Sequence, residues 1–142
     1  MSMELQWDLV EWSDSFRTGN SVMDADHQHL LEIFNRFATA ANEGRGEEFA
    51  LGIQEELAEY TDYHFNNEET LMREHNYPDY EVHKRLHDRF RKQISVIGNQ
   101  CGVGSDVGTF LLSFLSHWLI GHILNADRRL GDFLRGRAML HH

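Results

Sequence analysis

Apolar residues recur along this chain with the three- and four-residue spacing that places them on one face of a helix. The spacing holds through four long stretches, and Phe49, Val82 and Phe110 are among the apolar positions. Glycine-rich segments at 42–46 and 98–108, and a turn around the single proline, separate these stretches. No stretch of useful length alternates strictly between apolar and polar residues, so a mixed α/β fold has little support. The pattern predicts an all-α protein.

Polar residues that can accept hydrogen bonds mark the starts of the predicted helices. Ser21 can cap the first helix together with Asp24, three residues on. Asp79 and Asp106 are suited to capping the third and fourth helices. The predicted helices cover 22–41, 47–73, 80–97 and 106–127, and a short fifth helix near 128–135 closes the chain.

Four helices of similar length with short connections favour an antiparallel up-down-up-down four-helix bundle. The 142 residues amount to one ordinary domain, so we predict a single domain over 1–142. An N-terminal arm that carries Trp7 and Trp12 is expected to lie on the bundle. The arm covers 1–20, the bundle 21–128 and a short C-terminal segment 129–142.

The composition bears on the partners and the cellular location of the protein. The formal net charge of −10 argues against nucleic acid as a partner, because binding to phosphates needs a basic face. Cys101 is the single cysteine and cannot form an intrachain disulfide, which fits a reducing compartment. No leader-like segment and no run of 18 apolar residues is found. We therefore expect a cytoplasmic protein with no membrane partner; a protein partner is not indicated either way.

Ten histidines in 142 residues are the first compositional sign of chemistry. His64 and Glu68 are four residues apart, as are His83 and His87, so each pair lies one turn apart on one helix face. Those faces are the apolar ones, and His27 shares the apolar face of the first helix. The pattern therefore points these side chains into the core.

A single inward histidine is as well explained by a hydrogen bond to a backbone carbonyl as by a metal. The whole set is different, because five imidazoles and two carboxylates in one small core need many partners. Burying the carboxylates unpaired would cost several kcal/mol apiece. A bound metal removes both penalties by taking the lone pairs directly. The set comprises His27, His64, Glu68, His83, His87, His122 and Asp127.

His122 and Asp127 are five residues apart, which in a regular α-helix is a rotation of about 140° and does not place both on one face. Two explanations stay open. Either a π-bulge changes the register, or the two groups approach the centre from different sides.

The candidate ligands are imidazoles and carboxylates without sulfur, a set that suits iron, manganese or zinc. Seven protein ligands exceed what one ion can hold, so two metal ions are implied. Neutral imidazoles stabilise ferrous iron better than carboxylates do. A site with few carboxylates therefore favours binding dioxygen over activating it.

The motifs DADHQHLLEIFN (24–35), HFNNEETLM (64–72), HKRLH (83–87) and WLIGHILNAD (118–127) resemble the hemerythrin signature, and the resemblance covers about 20–130. It implies two non-haem iron ions joined by an oxo or hydroxo bridge, with dioxygen as the ligand. One iron would be held by His83, His87 and His122, the other by His27 and His64, with Glu68 and Asp127 bridging both.

Under that assignment the two-histidine iron has one position open, and dioxygen is expected there. By resemblance, Trp118 and Leu124 would help to line the pocket. The implied function is reversible dioxygen binding for storage, delivery or sensing, and not an enzyme. The main alternative is a di-iron oxidase or peroxidase, or an iron-oxidising store.

The remaining histidines match no ligand position of the family pattern. We expect His29, His75 and His117 to lie at the surface or the bundle edge and to be dispensable. His141 and His142 are either native residues or a tag remnant, and Cys101 matches nothing in the pattern.

Overall fold

The computed structural model describes residues 7–100 and 107–140, with side chains described through residue 137. A short 3-10 turn precedes five α-helices, and a π-helical turn, Ile123–Asp127, joins the last two into one continuous helix. Within the described ranges there is no strand, so the predicted all-α helical bundle is confirmed. The helices are α1 (Ser21–Asn42), α2 (Gly46–Glu74), α3 (Tyr80–Gln100), α4 (Val107–His122) and α5 (Arg128–Leu140).

The start of α1 differs in detail from the prediction. The capping residue is Asn20 instead of Ser21, and its side-chain oxygen accepts the Met23 N–H at 3.0 Å. Asp24 serves the preceding chain, because its Oδ1 accepts both the N–H and the hydroxyl of Thr18 at 2.8 Å. Asp24 therefore ties the N-terminal arm to the first turn of α1.

Two further predicted capping residues and the predicted fifth helix can be compared with the structure. Asp79 stands directly before α3, and its carbonyl accepts the His83 N–H at 2.9 Å. Asp106 and Cys101 lie outside the described residues. The fifth helix spans 13 residues and continues α4, so it is longer than predicted and not a separate element.

The core lies between α1, α2, α3 and α4 and is rich in aromatic rings. Phe34, Phe37, Phe65 and Phe90 are essentially inaccessible to solvent. Leucines of α4 fill the opposite wall of this core, where they pack against the same rings. Burial of aromatic and aliphatic side chains from all four helices is the main force that holds the helices together.

Three apolar residues from the predicted inward faces are exposed. Phe49 is 40%, Val82 56% and Phe110 50% exposed. Each lies in the first turn of its helix, and there the neighbouring helices no longer cover the apolar stripe. Periodicity alone was therefore wrong at the helix starts.

Consecutive helices run antiparallel where their side chains meet, because the contacting residue numbers rise along one helix as they fall along the next. This holds for α1 with α2 and for α2 with α3. The pairs are Asp26 with His64 and Arg36 with Glu56, then Glu68 with His83 and Gln54 with Ile94.

The N-terminal arm lies along α1, where two asparagine side chains bind its backbone. Asn42 accepts the Trp7 N–H at 2.7 Å and donates to the Trp7 carbonyl at 2.9 Å. Asn35 makes the same two bonds with Val10, each at 2.8 Å. These paired bonds fix the arm against the outer face of α1.

The helix Val107–Arg137 is long and apolar enough, by length and composition, to cross a membrane. A core helix passes the same test, and here Leu111, Leu112 and Leu115 are completely buried in the bundle. The apolar character of this helix is therefore accounted for by the core. The absence of a membrane partner stays a prediction.

Candidate metal centre

The structure brings all seven predicted ligand side chains together in the bundle core. They form two adjoining groups, and within each group the potential ligand atoms lie within 4.8 Å of one another. Every one of the seven is buried, with His122 the most accessible at 7%. The three-histidine group contains His83, His87 and His122, the two-histidine group contains His27 and His64, and both contain Glu68 and Asp127.

Two of the pairs follow directly from α-helical geometry. His64 and Glu68 project from adjacent turns of α2, and His83 and His87 project from adjacent turns of α3. Residues four apart lie on one face, so each helix presents two groups to the centre. The sequence could predict both pairs for this reason.

The pair on the last helix depends on the π turn. His122 ends α4 and Asp127 ends the turn Ile123–Asp127, in which the hydrogen bonds span five residues instead of four. The wider turn brings Asp127 Oδ1 to 3.0 Å from His122 Nε2. Of the two alternatives left open by the spacing, the π-bulge is the one the structure contains.

The two oxygens of Glu68 face different groups. Glu68 Oε2 lies 3.3 Å from His27 Nε2 and 2.7 Å from His64 Nε2. Glu68 Oε1 lies 3.2 Å from His83 Nε2 and 3.1 Å from His87 Nε2. One carboxylate therefore reaches both groups, with one oxygen on each side.

Asp127 divides its oxygens in the same way. Oδ2 lies 2.8 Å from His27 Nε2, while Oδ1 lies 3.0 Å from both His83 Nε2 and His122 Nε2. The two carboxylates thus form parallel links between the same two groups, as ligands shared by two ions would.

Several buried atoms of the site have no hydrogen-bond partner among the described residues. They are His27 Nδ1, His64 Nε2 and Asp127 Oδ1. His64 Nε2 approaches Glu68 Oε2 at 2.7 Å, but without the angles of a hydrogen bond. Such orphaned atoms are costly in a core, and a metal bound at His64 Nε2 and Asp127 Oδ1 would remove the cost for those two. His27 faces the carboxylates with Nε2, so its Nδ1 lies on the other side of the ring. The residues therefore fit a pair of transition-metal ions.

Charge in the metal-free centre is divided between imidazoles and carboxylates. Burial disfavours the imidazolium of His64, but the charge of Glu68 and the hydrogen bond that His64 donates to Asp26 outweigh it and raise its pKa to about 10. The pKa of His83 rises to about 9, where Asp127 and Glu68 overcome burial. A proton and a metal ion therefore compete for the same lone pair of these rings.

The pKa values of three other ionisable groups of the centre are also shifted. Burial lowers the pKa of His122 despite the charge of Asp127. The pKa of Glu68 lies well below its ordinary value, because His64 and its neighbours overcome burial. The pKa of Asp127 is also depressed, because the charges of His122 and His27 outweigh burial and the charge of Glu68.

Two carboxylates beside the centre were not among the predicted site residues. Asp26 Oδ2 lies 2.9 Å from His64 Nδ1, and Glu69 Oε2 lies 2.8 Å from His87 Nδ1. Each is the chain neighbour of a predicted ligand and therefore points about 100° away from it around its helix. A metal-ligating histidine commonly donates its second ring N–H to a carboxylate, and this general rule could have identified Asp26 and Glu69.

The predicted pocket residues lie beside the three-histidine group and in the π turn. Trp118 is half-buried and stacks on His122, with ring centroids 4.5 Å apart and planes 12° apart. Leu124 is half-buried and packs against the main core. Their role as walls of a dioxygen pocket stays a prediction.

The histidines expected to be dispensable are absent from both groups. His29 is half-buried and lies 4.2 Å from the Tyr60 ring, and His75 follows α2 directly. His117 is exposed, and its Nδ1 donates to the Ser113 carbonyl at 2.9 Å. His141 and His142 lie outside the described residues.

An all-α bundle whose core collects imidazoles and carboxylates into two adjoining groups defines a helical metal-binding protein. The family profile of the Hemerythrin HHE cation binding domain matches residues 18–134. The chain therefore belongs to the hemerythrin family.

Similar proteins include bacteriohemerythrins and a hemerythrin-like protein. Bacteriohemerythrin of Pseudomonas aeruginosa (strain LESB58) is 36% identical over 124 residues, which cover 87% of this chain and 80% of that protein. Bacteriohemerythrin of Clostridium acetobutylicum is 31% identical over 130 residues, covering 87% of this chain and 100% of the relative. A hemerythrin-like protein of Naegleria gruberi is 30% identical over 118 residues, covering 83% and 87%.

Proposed function

We propose that this protein binds dioxygen reversibly at a non-haem di-iron centre. The observation that carries the proposal is the division of the carboxylate oxygens of Glu68 and Asp127 between two histidine groups. A bound ferrous pair would supply the electrons and the open coordination position that dioxygen binding requires. His83, His87 and His122 would hold one iron and His27 and His64 the other, with both carboxylates and an oxo or hydroxo group as bridges.

The unequal number of imidazoles supports a single binding position. Both carboxylates reach both groups, so the two sides differ by one histidine. The side of His27 and His64 therefore has one protein ligand fewer, and we place the open position there. In this proposal Leu124 keeps the position dry, and exclusion of water hinders loss of reduced oxygen species. Trp118 covers the three-histidine side, where it stacks on His122.

The protein charge at the centre supports binding over oxidation. Five imidazoles contribute no charge when they act as ligands, and only two carboxylates offset the charge of two divalent ions. A centre that keeps net positive charge stabilises the reduced metal. The names of the bacterial relatives fit a non-enzymatic oxygen-binding role. We propose that this role is storage, delivery or sensing, and that the protein acts in the cytoplasm.

Metal analysis combined with absorption spectroscopy tests the proposal. We expect two irons per chain and a new visible absorption when dioxygen meets the reduced protein, reversed when dioxygen is removed. An oxidase or peroxidase would instead consume reductant continuously. One zinc and no iron after expression with adequate iron would overturn the di-iron assignment, and an absorption that cannot be reversed would overturn the carrier role.

A further inference from the structure

His64 and His87 use their two ring nitrogens differently. In both rings Nε2 faces the carboxylates of the centre, at 2.7 Å from Glu68 for His64 and at 3.1 Å for His87. Nδ1 faces an outer carboxylate, Asp26 or Glu69. Because a carboxylate only accepts, Nδ1 must carry the hydrogen, and this leaves the Nε2 lone pair for a metal.

Asp26 is surrounded by neutral donors apart from His64. The Tyr60 hydroxyl donates to its Oδ1 at 3.0 Å, and the Asn67 amide donates to its Oδ2 at 3.4 Å. The Asp26 side chain is 9% exposed, so water screens its charge little. Asp26 therefore brings a nearly uncompensated negative charge to the two-histidine side.

Glu69 differs because a cation, Arg91, lies beside it, and Arg91 also pairs with the exposed Asp62 and Asp88. Arg91 Nη1 lies 3.0 Å from Glu69 Oε2, the same oxygen that meets His87 Nδ1. The Arg91 guanidinium also lies 5.2 Å above the ring of Phe65. Phe65 in turn stacks on His87, with centroids 3.9 Å apart and planes 7° apart. Arg91 therefore holds His87 in place from two directions and offsets part of the charge of Glu69.

We propose that Asp26 and Glu69 are positioning residues that fix the tautomers of His64 and His87 and make the two metal positions electronically unequal. Asp26, uncompensated, strengthens electron donation by His64 and lowers the reduction potential of the two-histidine iron. Glu69, paired with Arg91, orients His87 with little such effect. This inference rests on the proposed di-iron function. It explains how the iron with fewer imidazoles obtains the electron density that dioxygen binding demands.

Conservative and truncating variants separate positioning from charge. Asp26→Asn keeps an acceptor oxygen for His64 Nδ1 but removes the charge, whereas Asp26→Ala removes both. Glu69→Gln is the matched variant on the other side, and Glu55→Gln on the exposed surface of α2 is the control. The measurements are iron per chain, iron affinity, helical content by circular dichroism and midpoint potential by anaerobic spectroelectrochemistry.

We expect Asp26→Ala to weaken iron binding by about 10- to 100-fold with helical content unchanged. Asp26→Asn should restore most of the iron and raise the midpoint potential. Glu69→Gln should shift it less, and Arg91→Gln should lower it, because Glu69 then becomes uncompensated.

The outcomes distinguish this inference from the proposed function. Equal shifts in Asp26→Asn and Glu69→Gln, or no shift in either, with two irons in the wild-type protein, would overturn the inference alone. If the wild-type protein holds two irons and the variants show the expected shifts in midpoint potential, the inference is supported. Failure of that wild-type protein to bind dioxygen reversibly would then overturn the proposed function. A wild-type protein without an iron pair would overturn both.

Discussion

His122 and Asp127 are five residues apart in sequence, yet Asp127 Oδ1 lies 3.0 Å from His122 Nε2. A regular α-helix would turn Asp127 away from the core. The π turn between them contains one residue more than an α-turn, and it keeps both groups on the inner face of the last helix. The register of this single turn is therefore as important to the site as the ligands themselves.

Changes of length in the π turn should have opposite results. Deletion of the exposed Asn125 leaves His122 and Asp127 four apart, so a regular α-helix keeps both groups inward, and iron content should stay near that of the wild type. Insertion of an alanine before Ala126 should rotate Asp127 by about 100° and lose at least one iron. Iron per chain and circular dichroism are the measurements. Equal iron content in both variants would show that the register does not determine the site.

Loss of a shared carboxylate should be more damaging than loss of a terminal histidine. Glu68 touches both groups, so Glu68→Ala removes a ligand from each side, whereas His27→Ala affects only the two-histidine side. We expect Glu68→Ala to lose the metal pair and His27→Ala to retain more iron. Glu55→Ala, an exposed change on the same helix as Glu68, should keep the full content. Full iron and dioxygen binding in Glu68→Ala would disprove the bridging role.

The metal-free chain should be less stable than the loaded chain and should lose stability in alkali. The pKa values of His64 and His83, about 10 and about 9, lie above the ordinary 6.5 of the unfolded chain. Their stabilisation is therefore complete below about pH 6.5 and is lost as pH rises through 9 to 10, at up to about 1.4 kcal/mol per pH unit for each proton.

The two carboxylates change the folding stability in the opposite direction, because they lose their contribution in acid. Glu68 and Asp127 have depressed pKa values, so their contribution is present at neutral pH and is lost as pH falls below their ordinary values of 4.5 and 3.8. Thermal unfolding of metal-free and loaded protein between about pH 2.5 and about pH 10 measures both effects. A melting temperature that metal removal leaves unchanged at pH 7.5 would contradict the linkage.

Leu124 offers a test of the proposed dioxygen pocket. Leu124→Ala should speed autoxidation several-fold while both irons stay bound, because a smaller side chain admits water to the open position. Leu134→Ala is the matched control, because Leu134 is also half-buried but packs against a separate apolar cluster formed by Met23, Met72, Tyr77 and Leu130. The decay of the oxygenated absorption gives the rate. Equal rates in the two variants would remove the pocket role without affecting the metal assignment.

The sequence by itself determined the helices and most of the candidate ligands. Helical periodicity and the four-residue spacing of His64 with Glu68 and of His83 with His87 are local properties, so they can be read without knowing the neighbours. The same local argument placed His27 on an inward face. Chemistry then required that so many inward polar groups share a metal.

The tertiary structure decided what depends on contacts between helices. Asp26 and Glu69 meet His64 and His87 only because antiparallel neighbours place them side by side, and no local pattern encodes such a pairing. The π turn is another such case, because the spacing alone allowed two explanations for Asp127. Helical periodicity fixes the direction of a side chain around its own axis. Packing of the whole bundle decides what that side chain meets there, and so which face is covered.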